Sequence, residues 1–400
     1  MHRQLIRLSL GCLALALPAN APRAVAVAAG VLPAVVADAM AQAATPQAIA
    51  EYRRKLKEYQ AARTAFEEEA GAYWASISEK RRGRNAKRRE RQTIALDDYV
   101  LTQPPVYTGP KRPVDPAPEP AEEKPPRERK AIPVVADLLQ AAAEQFQFTP
   151  QRPSTEMEFK RAYARVALAS GLTREQAVRV YSFETGGNGN HDMQSGLSSR
   201  PGSRAISTAI GYNQLLTTNS VELMAEQGHE LIKELTAKAA GLTGPARKAM
   251  DHKLAVLKKM VAFTRTVPDE WAAHEKLANT PQGWAVHAMV LDIDVGPMLQ
   301  THKLLTSVIF ARAKGYNRPL TAAELEMMNL TGDGTGLDMV TMPQAMRERV
   351  PTSNFFQRGG YERNPIARRT GTVAALFASI ETKMDNASQA QGARELAEAF

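Results

Sequence analysis

Cysteine is nearly absent from this chain of 400 residues. The one present, Cys12, lies in an apolar N-terminal stretch. A disulfide framework, a thiol nucleophile and a Cys/His zinc site are therefore excluded for the rest of the sequence. Long apolar runs are missing too. Pro18 and Pro33 interrupt the two at the N-terminus, and neither run reaches the roughly 20 residues of a spanning helix. There is no sustained two-residue alternation and no internal repeat. No GxxxxGK[ST] loop and no GxSxG elbow occurs. His229-Glu230 and His274-Glu275 begin like a zinc-protease helix, but neither has a histidine four residues after the first. "GDGTG" at 332–336 lacks the strand-then-helix setting of a dinucleotide fingerprint. The expectation is a chain without metal or cofactor.

What is present is positive charge. The formal net charge is +9 and the pI about 9.5, which suits an acidic partner: nucleic acid, anionic lipid or an anionic wall polymer. The N-terminus narrows this. Basic residues precede an apolar run from Leu8 to Leu17, and a second run ends in Ala41-Gln42-Ala43. This reads as a signal peptide over 1–43, cut after Ala43. Cutting after Ala21 would put Pro22 first and leave an apolar tail. A retained membrane anchor is the alternative. The expected location is the periplasm or the exterior, with or without membrane association.

Residues 44–101 read as one helix followed by a basic segment. Over 46–79, Ile49, Tyr52, Leu56, Tyr59, Phe66, Ala70, Tyr73 and Ile77 recur at three-four spacing. Such a stripe seats either on a partner helix of another envelope protein or on its own domain. "EKRRGRNAKRRERQ" (79–92) has no interleaved aromatics, so it reads as a solvated segment meeting anionic wall or lipid, not nucleic acid. Residues 102–133, rich in Pro, Glu, Lys and Arg, form a disordered linker.

From 134 to 400 the pattern is helical, with segments at 134–148, after Ser154, after Thr173, and at 219–240, 244–266, 281–314, 321–329 and 371–385. The fold class is mainly α. Within it, "VYSFETGGNGNHDMQSG" (180–196) ends a helix in one acid, Glu184. The helix dipole there favours the protonated carboxyl, and an apolar surround would raise its pKa further. A carboxyl kept neutral near pH 7 can protonate a glycosidic oxygen. The bland reading is a surface glutamate.

Two more stretches sit at helix–loop junctions: "GYNQL" (211–215) and "EMMNLTGDGTG" (326–336). With Glu184-Thr185 they follow one another in the order of the lysozyme-like lytic transglycosylases, which the region 150–390 resembles. Glu184-Thr185 matches that family's Glu-Ser pair, Gly211 to Leu215 its "GLMQL" turn, and Met328 to Gly332 its "AYNAG" segment. The second motif carries Tyr-Asn where Met is usual, and the third lacks the tyrosine before Asn329.

The resemblance implies a lysozyme-like catalytic domain over 134–400 acting on peptidoglycan glycan strands. Glu184 would serve as sole acid and then base on the bond between N-acetylmuramic acid and N-acetylglucosamine, closing a 1,6-anhydro ring. Thr185, Tyr212, Gln214 and Asn329 would bind substrate. Tyr361, in "TSNFFQRGGYERNP" (352–365), would offer an aromatic face to the cleft. Trp284 and His287 read as core and its polar edge. A hydrolytic muramidase would need a second carboxylate, for which Asp192, Asp292, Asp294 and Asp333 are available. A scaffold or glycan-binding protein that keeps the fold without turnover is the non-enzymatic alternative.

Overall fold

A computed structural model of the chain describes residues 45–116, 131–198, 200 and 202–400. The signal-peptide reading of 1–43 and the middle of the Pro-rich linker lie outside those residues. The described chain falls into two units, one of residues 45–116 with 348–372, the other of 131–347 with 373–400.

The first unit is built on helix α1, Pro46–Arg89. Thr45 caps it, its hydroxyl accepting from the Ala48 amide at 3.2 Å, and Pro46 supplies a preset first turn. The apolar stripe predicts an end near 79 and a solvated basic run beyond it. The helix instead continues through the run, because several of the cations are engaged. Arg84 is buried over the Tyr99 ring, 4.4 Å from its centroid. It donates to the carbonyls of Asp98 (2.8 Å) and Asn354 (3.1 Å). Arg81 donates to the carbonyls of Asn354 and Phe356, and Lys87 to both carboxylate oxygens of Asp98. Lys87, Arg88 and Arg89 in the last turn also suit the negative end of the helix dipole.

Residues 348–372 close on this helix through Ser353, hydrogen-bonded to Tyr73 at 2.6 Å, and through Tyr361, whose ring packs 5.6 Å from Trp74. The continuous domain expected over 134–400 is thus interrupted: this stretch belongs with the N-terminal helix. The start of the expected linker is also laid down, since Tyr107 packs edge-on against Phe66 at 5.4 Å.

The second unit is all helix and loop. Its longer helices are α2 Val135–Phe146, α3 Glu156–Ala169, α4 Arg174–Thr185, α5 Thr217–Ala240, α6 Gly244–Thr264, α7 Trp271–Ala278, α8 Pro281–Ala288, α9 Val295–Ala313, α10 Ala322–Thr331, α11 Asp333–Val340, α12 Val373–Ala387 and α13 Gln391–Ala399. Among the described residues there is no sheet, only isolated bridges such as Gln194 to Ile210, so the mainly-α expectation stands. No described helix is long and apolar enough to cross a membrane. Leu138, Leu215, Met224, Leu257, Val286 and Leu299 sit in one core, each burial contributing about 1.5–3 kcal/mol.

The helix expected over 281–314 is broken at 289–294. The buried Asp292 carboxylate accepts from the amides of Asp294 (2.9 Å) and Val295 (3.2 Å), capping α9, and pairs with Lys253 at 2.8 Å. The Gly-rich turn expected at 332–336 proves to be the start of α11. Gly336 lies against the Met328 backbone, where any Cβ would collide, so the glycine permits the close approach of α10 and α11.

α4 carries Glu184 in its last turn. Thr173 and Gln176 cap each other reciprocally at its start, at 3.1 and 2.8 Å. The helix stops at Gly186, in the left-handed region with φ 67°. α10, α12 and α13 pack around it. Arg179 pairs with Glu381 and Asp385 of α12, and Gly187 sits so close to the Ala387 carbonyl that no side chain would fit.

Candidate active site

Glu184 is partly exposed. Its Oε1 accepts a 2.8 Å hydrogen bond from Nδ2 of Asn329, near the end of α10. One turn earlier on α10 stands Glu326, fully buried. Its Oε1 lies 3.5 Å from the same Asn329 nitrogen, and its Oε2 has no hydrogen-bond partner among the described residues. One amide nitrogen therefore serves two carboxyls, and the two oxygens it serves are no farther apart than the sum of those distances.

Two amines complete the group. Lys303 comes from α9, and its Nζ donates to the Asn213 carbonyl at 2.5 Å and to that of Gln214 at 3.5 Å. Lys383 comes from α12, its Nζ 3.7 Å from the Phe183 ring centroid. Four helices thus bring two acids and two bases together, with Glu326 buried and the other three partly exposed. Burial pushes the Glu184 carboxyl up, while Lys303, Lys383 and the Asn329 bond hold it back. Glu326 is driven well above the ordinary carboxylate value, by burial first and then by repulsion from Glu184. Burial pushes both lysines down against the pull of the carboxyls. Two carboxyls served by one amide nitrogen titrate as a pair.

Asn329 and Lys303 also line a small cleft of about 60 Å³. Its other walls include Asn219, Glu222, Trp271, Thr306, Ser307 and Asp333. Glu184 is not on this lining. It sits behind Asn329, joined to the cleft by that one hydrogen bond.

The residues expected to bind substrate divide. Glu184 and Asn329 meet, and Gln214 is tied to the same cluster through its carbonyl and Lys303. The Gln214 side chain, though, is turned inward: Nε2 donates to Gly211 O at 2.8 Å and Met193 O at 3.3 Å. Thr185 does not face the cleft. It is buried, its hydroxyl donating to Tyr181 O at 2.7 Å and closing the helix end. Tyr212 is fully buried, hydrogen-bonded to Glu156 at 2.6 Å and ringed by Phe159, Tyr163 and Tyr181. Tyr361 belongs to the other unit and is buried against Trp74. These three are structural aromatic or hydroxyl groups, each consumed by internal packing.

The candidate second acids fare alike. Asp192 pairs with Arg152, and Asp292 and Asp294 with Lys253. Asp333 accepts from Ser307 at 2.6 Å at the cleft wall. The carboxyl beside Glu184 is Glu326, which sequence reasoning passes over although it stands three residues before Asn329. That spacing puts both on one face of a helix, a signal available in advance. Lys303 and Lys383 carry no local mark in the sequence. His287 is buried and pushed down to about 4 by burial; it is held neutral between Ser220 and the Thr208 carbonyl, away from the cluster's bonds.

Compared with known proteins, the chain matches no family model, and no curated protein or solved structure is significantly similar to it.

Proposed function

We propose that this chain is an exported, lysozyme-like enzyme that cleaves peptidoglycan as a lytic transglycosylase, with Glu184 as its single acid and base. The observation that carries the reading is the 2.8 Å bond between Asn329 and Glu184, which joins the first and third motifs across 145 residues. Burial favours a protonated acid at that position, against the pull of Lys303, Lys383 and the Asn329 bond. Glu184 gives its proton to the oxygen linking N-acetylmuramic acid to N-acetylglucosamine. The substrate's acetamido group stabilises the developing cation. Glu184 then takes the proton of the muramyl C6 hydroxyl, whose oxygen closes the anhydro ring.

Glu326 bears on the choice between ring closure and hydrolysis. Being wholly buried, it can neither attack the sugar nor activate a water on it. Its burial supports the single-carboxyl route over a muramidase. The non-catalytic reading, a glycan-binding envelope protein, draws on a different observation: Tyr212 and the Gln214 side chain are both spent on internal bonds.

The full chain and its Glu184→Gln variant, incubated with purified peptidoglycan, decide among these. Release of anhydro-ended muropeptides by the wild type, lost by at least about 10³-fold in the variant, is the expected result. Reducing-end products would make it a muramidase. Binding without release by either protein would leave the glycan-binding reading.

A further inference from the structure

α9 turns two side chains, Gln300 and Lys303, toward the 210–215 turn from positions three residues apart. Gln300 Oε1 accepts from the Asn213 amide at 2.8 Å, and its Nε2 donates to the Ile210 carbonyl at 3.2 Å. The Gln300 carbonyl accepts from Asn213 Nδ2 at 2.7 Å. Lys303 Nζ takes the Asn213 carbonyl at 2.5 Å. One helix therefore holds the amide, the carbonyl and the side chain of Asn213. The next residue, Gln214, sits in the left-handed region with φ 44°, which few residues other than glycine adopt. The shape of this turn is thus imposed from α9.

The same ammonium stands beside the acid group. Lys303 and Asn329 share the wall of one cleft, and Asn329 is bonded to Glu184. The carbonyls use the ammonium's hydrogen bonds without cancelling its charge, so that charge acts on the carboxyls. Burial raises Glu184, and burial with repulsion from Glu184 raises Glu326. Among the groups that pull each of them back, Lys303 is the strongest, ahead of Lys383. Other charges on the surrounding helices have partners of their own. Glu381 and Asp385 of α12 pair with Arg179, Glu395 of α13 with Lys160, and Asp333 accepts from Ser307. Glu156 of α3 is bonded by His191 and Tyr212, and Glu222 of α5 is the other acid on the cleft wall.

We propose that Lys303 is a positioning residue for the reaction of Glu184: its hydrogen bonds lock the 210–215 turn, and the charge those bonds hold in place acts on the Glu184 and Glu326 pair. This rests on the reading that Glu184 is the acid, and it adds the residue that ties the second motif to the first and third. A neighbouring cation favours the ionised carboxyl, so its removal leaves the pair protonated to higher pH.

The test is a carboxyl NMR titration of the full chain carrying isotope-labelled glutamate, with the two signals assigned by their loss in Glu184→Gln and Glu326→Gln. In Lys303→Met the pair titrates about one pH unit higher, and the amides of 210–215 exchange with solvent about tenfold faster. Lys303→Arg, which keeps the charge and the donors, restores the wild-type midpoint, which a role in packing alone does not require. Lys303→Gln, neutral and shorter, shows the same upward shift and serves if the methionine variant does not fold. An unchanged midpoint or unchanged exchange in the neutral variants overturns the proposal. Release of muropeptides that requires Glu184, with a midpoint indifferent to Lys303, leaves the enzyme reading standing without this role. A Lys303-dependent midpoint in a chain that releases nothing keeps the coupling and sinks the enzyme reading.

Discussion

Asn329 has one amide nitrogen and two carboxyls to serve. Removing it leaves Glu184 without the bond that fixes its oxygen. If the proposed activity holds, Asn329→Ala should lower peptidoglycan release about 10²-fold while shifting the melting temperature little, since the residue lines a cleft and not the core. Initial rates beside a thermal melt separate the two effects. Glu326 makes a prediction of opposite kind. Its folded pKa lies above the ordinary value of 4.5, so the folded chain holds a proton that the unfolded chain releases. On its account stability is greatest in acid and falls as pH rises past that value. Glu326→Gln should melt like the wild type near about pH 4 and at a higher temperature near about pH 8. Equal shifts at both would show that the carboxyl ionises as freely folded as unfolded. At this scale the sequence marked Glu184 and Asn329 by position, at helix ends beside polar loops. It misplaced Tyr212 and Tyr361, because an aromatic among polar neighbours looks alike whether it faces a cleft or a core.

Among elements, α4 depends on its neighbours beyond the caps. Gly187, with φ 77°, lies against the Ala387 carbonyl. Gly187→Ala meets both a left-handed backbone and a collision, and should cost about 1–3 kcal/mol, read as a lower urea midpoint with unchanged slope. Helices with local caps were legible, as at Thr173 and Thr321, where side chain and amide lie three residues apart. The break at 289–294 was not. Asp292 can sit buried there only because Lys253, on a different helix, pairs with it. The basic run was misjudged for the same reason. The carbonyls that hold Arg84 lie at Asp98 and Asn354, and the second is 270 residues away.

For the molecule as a whole, that distance sets the architecture. The buried Arg84 guanidinium is one link between α1 and residues 348–372 within their unit, beside those of Tyr73, Trp74 and Arg81. Arg84→Met takes a donor from the buried Asn354 carbonyl and the half-buried Asp98 carbonyl and should cost about 2–4 kcal/mol. Limited proteolysis should then cut within 348–372 faster than in the wild type, while sites within α2 to α11 are cut no faster. Composition and periodicity disclosed a helix, a Pro-rich stretch and a helical domain in that order. They could not disclose that the chain returns to its first helix late, because long-range pairing leaves no periodic trace.

The chain path has a consequence for the order of synthesis. The helix that carries Glu184 is propped by α12 and α13, through Arg179, Ser182 and Gly187. Both props are translated after every element they support. Until they emerge and dock, the carboxyl group stands on a helix with an open flank and without Lys383 beside it. A chain clipped after residue 372 would be left in that state for good. Clipping there would remove Lys383 and both supports together, and a nascent chain cannot assemble the carboxyl cluster before α12 has docked.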